Sequence, residues 1–541
     1  MRTVKYFKSG ILFLVAGLLF LLNSCSSDEE IRLDSPEGKC SIQFILNDGQ
    51  PYYRVFRDNR IIIDKSALGF ELKDARPLLA GFKMESASMS SSRERWEPVW
   101  GQRNRMRNNN HQLLVVLREK SEPYRELHLE FKAFDDGVGF RYIIPEQENL
   151  QKLEITREIS EFQFPGEMSA WWAGGEDGNN DFSCRNTPLS AMELANTPLI
   201  LEGDDSLFVR MHEASLLDYP EMRLKRSDEN PLMLINNPVP WPDGVIAKVA
   251  IPFKSPWRTI QIADEAGMLI ESSLILNINE PSQMEDASWV RLMKSGEAPV
   301  FVINDALTDS VLAHYESLGI RAIRAKFVDI GSMEGQLPGS QARVDQMTRL
   351  VEKAAEHKIM VYADETVKAS GLERTWPNFI CYEGNWYDDL TPGNQVQSTT
   401  AGQLAMMVVN FNPYQWIGGL SENYQEDAAL SFIRELPVDW DDIRVLNAKI
   451  GDYVTIARKK KDAWYLGSVT DENPREFTFT LDFLDEKLSY EMISYADDTA
   501  ADRLQNPSAY FFEKKQVKKD DEIMVKLATG GGQAAAIRPV D

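Results

Sequence analysis

The stretch from residue 290 to 447 constrains this chain most. Short apolar runs of strand type alternate there with helical runs. Val300–Ile303 is followed by Asp309–Leu318, and Ile320–Phe327 by Val344–His357, whose apolar residues Val344, Met347, Leu350, Val351 and Ala354 recur at helical spacing. Ile359–Ala363 and Phe379–Tyr382 read as further strands, and Thr400–Val409 and Asp427–Leu436 as further helices. Serial βα units imply a parallel sheet or barrel with ligand sites at the carboxyl ends of the strands. The stretch has only about 158 residues, whereas a closed eight-unit barrel takes ~250, with ~200 as a floor. The expectation is a shortened, incomplete TIM-like β/α barrel of about five units.

Both flanks read as β. From 35 to 289, the runs Ile42–Leu46, Leu113–Arg118, His128–Phe134, Val138–Ile144 and Val249–Phe253 are strand-like. Asn47-Asp48-Gly49 and Asp135-Asp136-Gly137 supply hairpin turns. That length suits a large β-super-sandwich. From 448 to 541, the runs Tyr453–Arg458, Trp464–Val469, Phe477–Leu481 and Ile523–Leu527, with Gly530-Gly531-Gly532 before a last strand, suit a smaller C-terminal β-sandwich. The fold class expected is therefore multidomain β plus α/β.

The N-terminus carries an address. Arg2, Lys5 and Lys8 precede the apolar run Ile11–Leu22, which is short for a membrane span of ~20 residues and fits a signal peptide over 1–24. It ends Leu22-Asn23-Ser24-Cys25, which resembles a bacterial lipobox, so Cys25 is the expected lipidation site and 25–34 a polar tether. The chain is then an exported bacterial lipoprotein of the outer membrane, held there by its N-terminal lipid anchor. Against 59 Lys and Arg stand 83 Asp and Glu, a net charge of −24, which excludes a nucleic-acid partner because phosphate binding needs clustered cations. Four cysteines form no C-x-x-C pair and the five histidines no H-E-x-x-H, which disfavours zinc ribbons, dithiol redox sites and zinc hydrolases.

Motifs then accumulate in order. They are Trp96-Glu-Pro-Val-Trp-Gly101, Phe134-Asp-Asp-Gly-Val-Gly-Phe140, Met211-His-Glu213, Ser255-Pro-Trp-Arg-Thr259, Leu276-Asn-Ile-Asn-Glu-Pro281 and Lys358-Ile-Met-Val-Tyr-Ala-Asp-Glu-Thr-Val-Lys-Ala-Ser-Gly-Leu-Glu-Arg-Thr-Trp-Pro-Asn378. Pro437-Val-Asp-Trp-Asp-Asp442, Gly451-Asp-Tyr-Val-Thr-Ile-Ala-Arg458 and Thr470-Asp-Glu-Asn473 continue the series. Their collinearity resembles glycoside hydrolase family 97, whose members are calcium-dependent α-glucosidases and α-galactosidases. The resemblance implies an oligosaccharide or α-glycoside substrate and Ca2+ as cofactor, held by Glu213, Glu365 and Glu383. It also implies that Glu365 serves as a base, that Asp389 stands where the family places its acid, and that Asp305 stands where inverting members carry a second base. The alternative for Asp305 and Asp389 is a loop-end cap. In the retaining branch one strand ends Lys-Val-Asp-Phe with Asp as nucleophile; here it ends Arg324-Ala-Lys-Phe327, which puts Lys326 in that place. Two readings follow: an inverting hydrolase, and a carbohydrate-binding lipoprotein that has lost turnover.

Overall fold

The computed structural model describes residues 29–148, 150–174, 184–292, 298–303, 307–327, 337–364, 367–382, 397–413 and 428–540. Among them, a nine-stranded and a ten-stranded sheet form the N-terminal super-sandwich. Alternation drives the pairing. In Cys40–Asn47 and Gln50–Arg57 the positions facing inward (Ile42, Phe44, Tyr53 and Val55) are fully buried. The turn between these strands places Asp48 and Gly49 at positive φ, the conformation a two-residue hairpin demands, and Asp135-Asp136 joins Glu126–Phe134 to Gly137–Ile144.

Three N-terminal segments depart from the sequence expectation, the first being Glu29–Asp34, expected within the 25–34 tether but paired as an edge strand with Cys40–Asn47. Val249–Phe253 is not one strand: Ala247–Ala250 pairs with Lys152–Gln163, while Phe253–Lys254 pairs with Gly137–Ile144 in the other sheet. Pro252, which has no N–H to give a ladder, falls at the switch. The Ser-rich segment Phe82–Trp96, which carries no apolar alternation, is a long strand that among the described residues forms the edge of its sheet, paired with Met106–Glu119.

In the middle of the chain, Val300–Val302, Ala322–Lys326, Met360–Asp364 and Phe379–Tyr382 form a four-stranded parallel sheet in sequence order. Its two faces have different covers. Phe301, Ile323, Ala325, Val361 and Phe379 pack on Leu312, Met347, Leu350 and Val351 of the helices Thr308–Ser317 and Gln341–Glu356. On the opposite face, Ala322, Met360, Tyr362 and Ile380 meet Val290, Ala298, Trp289 and Met284, with Trp100 reaching across from the sandwich. The linker after the sandwich thus covers the face that further barrel strands would otherwise enclose.

The helix Thr400–Val409 packs on the C-terminal domain, a six-stranded and a two-stranded sheet. That domain starts earlier than 448, because Asp442–Lys449 is already its edge strand, paired with Tyr453–Lys460.

Candidate active site

Lys326, Asp364 and Tyr382 end their strands at the same edge of the parallel sheet, with Val302 opposite Lys326 and Asp364 opposite Tyr382. Lys326 is exposed there. Glu365 and Glu383 follow Asp364 and Tyr382 directly in sequence, and Asp305 follows the Val300–Val302 strand. These three, with Asp389 and Cys25, lie outside the described residues.

Glu213 is described, and it is completely buried. It sits opposite Arg258 on the paired strands Leu207–Ala214 and Trp257–Ala263. Arg258 Nη1 donates to its Oε2 at 2.8 Å, while Met222 N and Lys368 Nζ donate to its Oε1 at 2.7 and 3.1 Å. Arg258 also forks onto Glu158, a residue of the facing sheet, with contacts of 2.8 and 2.6 Å. Burial alone would raise Glu158; the guanidinium beside it holds the carboxyl below the usual range. Desolvation works against the Arg258 charge, yet Glu158 and Glu213 hold that charge more firmly than water would.

Lys368 carries the network into the barrel. Its Nζ also donates to Thr197 Oγ1 and Met222 O, at 2.8 and 2.7 Å. The next residues are tied to the sandwich one after another. His212 Nε2 donates to Ala369 O at 2.8 Å, Ser215 N and Asn279 Nδ2 donate to Ser370 O at 3.1 and 2.8 Å, and Leu216 N donates to Ser370 Oγ at 3.3 Å. His212 is therefore the Nε2–H tautomer, with Nδ1 unpartnered, and burial pushes its pKa well below 6.5. Gly371 is left-handed at φ +77°, and a Cβ there would sit 2.6 Å from Asn279 Nδ2 and 2.9 Å from Ile275 O. Further on, Arg374 donates to Leu276 O and Asn277 O and lies over the Trp96 ring, while Asn378 donates to Val351 O. The Gly371–Asn378 run is thus a clamp between sandwich and barrel, placed just after position 365. Ser255-Pro-Trp-Arg-Thr259 and Lys368 lie within the quoted motifs, but sequence reasoning gave neither a role; Arg258 is explained by Glu213 opposite it and Glu158 across the sheets.

Of the three glutamates expected to hold Ca2+, Glu213 is the one among the described residues. Its Oε1 accepts two donors and Oε2 one, so one acceptor position remains. Among the described residues no three His, Cys, Asp or Glu side chains converge as a metal site. Glu213 thus keeps one acceptor position beside its two cationic partners.

Three models of one family match the chain in order: glycosyl-hydrolase 97 N-terminal over 33–281, glycoside hydrolase 97 over 286–385, and glycosyl-hydrolase 97 C-terminal, oligomerisation, over 439–538. A retaining alpha-galactosidase of Bacteroides thetaiotaomicron is 24% identical, covering 97% of this chain and 99% of that protein. The alignment runs over 683 positions against 541 residues here, so the relative has segments this chain lacks. A probable retaining alpha-galactosidase of Streptomyces bingchenggensis is 21% identical over 93% of this chain and 90% of that one. Among solved structures, a family 97 enzyme from Pseudoalteromonas sp. strain K8, seen with panose and with acarbose, superposes at a TM-score of 0.87. It is 26% identical and covers 94% of this chain and 100% of its own. Domain order, sheet architecture and the three matched regions agree: the chain belongs to glycoside hydrolase family 97.

Proposed function

We propose that this protein hydrolyses α-linked galactosides or glucosides with water, rather than a side chain, as the nucleophile. The observation that carries the reading is Lys326, exposed at the carboxyl end of Ala322–Lys326, where the retaining branch places its aspartate. A lysine side chain cannot form the glycosyl ester through which the retaining route passes. In the direct route Asp389 protonates the leaving oxygen, and Glu365 or Asp305 takes the proton of a water on the opposite face of the sugar. The two carboxyls then stand ~6.5–9.5 Å apart. This departs from the relatives, whose names specify retention.

Calcium belongs to the proposal as an ion held by Glu365, Glu383 and one oxygen of Glu213, supplying a fixed positive charge beside the base. Because it binds the folded chain preferentially, a chelator should lower the melting temperature by a few degrees. The lipid anchor at Cys25 is proposed likewise; Cys25→Ala should move the protein from the membrane fraction to the soluble one.

The deciding experiment is proton NMR of aryl α-galactoside and α-glucoside hydrolysis, reading the anomer released first. The β-anomer, lost in Glu365→Gln, supports the reading, and the α-anomer overturns it. The second reading, sugar binding without turnover, is favoured by Lys326 and by aspartates in place of the acid and second-base glutamates. Acarbose binding with no hydrolysis by the wild type would select it.

A further inference from the structure

We propose that the N-terminal sandwich carries a second, non-catalytic site for a neutral sugar. The site is a cavity of about 320 Å³ between the Asp135-Asp136 hairpin turn and the short helices Ala266–Glu271 and Leu274–Ile278. This is at the small end of the ~300–1,000 Å³ typical of ligand sites and suits one or two hexose rings. Its wall comes from sandwich strands and turns, from these helices and from the residues that join them. Ile262, in that wall, lies four residues along Trp257–Ala263 from Arg258, about 13 Å away at ~3.3 Å per residue. The cavity and the Glu213 seam therefore occupy different ends of the same strand.

Ligand class follows from the lining. Lys39, Arg57 and Arg107 are balanced by Asp135, Asp136 and Glu271, so no net charge selects an ion. Unused hydrogen-bonding capacity is of both kinds. Arg107 and Asn109 are exposed, two apart on Met106–Glu119 and hence on one face of the strand, and among the described residues their side chains have no hydrogen-bond partner. Ser273 Oγ accepts from Asn277 at 3.1 Å and keeps its own proton to donate. Asp136 accepts from Ser272 at 2.5 Å and still has acceptor positions. Met268, 47% exposed, adds apolar surface, with Phe134 buried in the same wall. Free donors and free acceptors beside an apolar floor match a ring bearing hydroxyls, each of which both gives and takes a hydrogen bond.

The test uses the full-length mature chain and the indole N–H resonance of Trp96, which donates at 2.9 Å to Asn277 on the cavity wall. Glucose, galactose and maltose are titrated separately, with sodium sulfate as the anion control. The expected result is a saturable Trp96 shift with at least one sugar. It should weaken at least fivefold in Arg107→Ala and disappear in Asn109→Trp, which fills the cavity from an exposed strand position; both variants should keep the wild-type melting temperature. No saturable shift, an undiminished shift in Asn109→Trp, or a shift with sulfate alone overturns the site. Aryl glycoside hydrolysis is read separately on the same samples, so failure of the barrel reading leaves this result intact, and the converse holds.

Discussion

The two sandwiches bury their cations by opposite electrostatic means. On the N-terminal side, a buried cation meets carboxylates: Arg258 lies between Glu158 and Glu213, and Lys368 brings the loop after position 365 into the same network. On the C-terminal side, the buried cation meets dipoles and the faces of the Phe411 and Trp440 rings, with no carboxylate hydrogen-bonded to it among the described residues. Arg458 Nε and Nη2 donate to Val408 O and Val409 O, the last carbonyls of the helix Thr400–Val409, and Nη1 donates to Gln102 Oε1. Burial, with the like charge of Arg103 behind it, pushes Arg458 down to about 9. At neutral pH the guanidinium still carries its charge, held by the negative end of a helix rather than by a counter-ion. Asp497 fixes the other end of that helix: it accepts from the N-cap Thr399 Oγ1 at 2.6 Å and from Ala528 N and Gly532 N at 2.9 and 2.8 Å. A charge pair gives direction and strength, but removing one member strands the other; a charge on dipoles strands nothing ionic when it is lost.

That contrast orders the mutational effects. Arg258→Met leaves Glu158 and Glu213 buried with their main counter-charge gone and should cost about 3–5 kcal/mol, read as a large fall in the urea midpoint. Lys368→Met leaves Glu213 its Arg258 partner and should cost about 1.5–3 kcal/mol. Arg458→Met frees only neutral acceptors and should cost about 1–3 kcal/mol; a loss equal to that of Arg258→Met would erase the distinction between the seams. The smallest effect should be the pH dependence at His212. Its folded-state pKa lies below 6.5, so as pH falls through 6.5 the unfolded chain takes up a proton that the folded chain refuses. Stability should then decline on acidification, and His212→Asn should flatten that part of the profile. An unchanged slope would place the acid sensitivity elsewhere.

Much of this scaffold is legible from pattern. Thr400–Val409 is readable to the residue, because its apolar face is periodic and Thr399 caps it, accepting from Gly402 N at 3.0 Å. The inner parallel strand Met360–Asp364 is legible because its run Met360-Val361-Tyr362-Ala363 is apolar and buried on both faces. Phe82–Trp96 is not, since its order comes from backbone pairing with Met106–Glu119 and its serines carry no trace of that. The site is legible only as motif positions. Glu213 reads as a surface carboxylate or a ligand, and nothing local to it announces Arg258, let alone Glu158 in the facing sheet. Contacts across a sandwich core join residues that share no periodicity.

The linker on the back of the parallel sheet makes shortening of this barrel hard to reverse. Trp289, Val290 and Met284 stand against Met360, Tyr362 and Ile380, the surface that added strands would need to curl around. Splicing the absent βα units back into the chain would therefore set two tenants against one wall: the new strands could close only after the linker had been expelled and its tryptophan turned out into water. A designer adding βα units to this sheet would have to rewrite 284–292 together with the insertion.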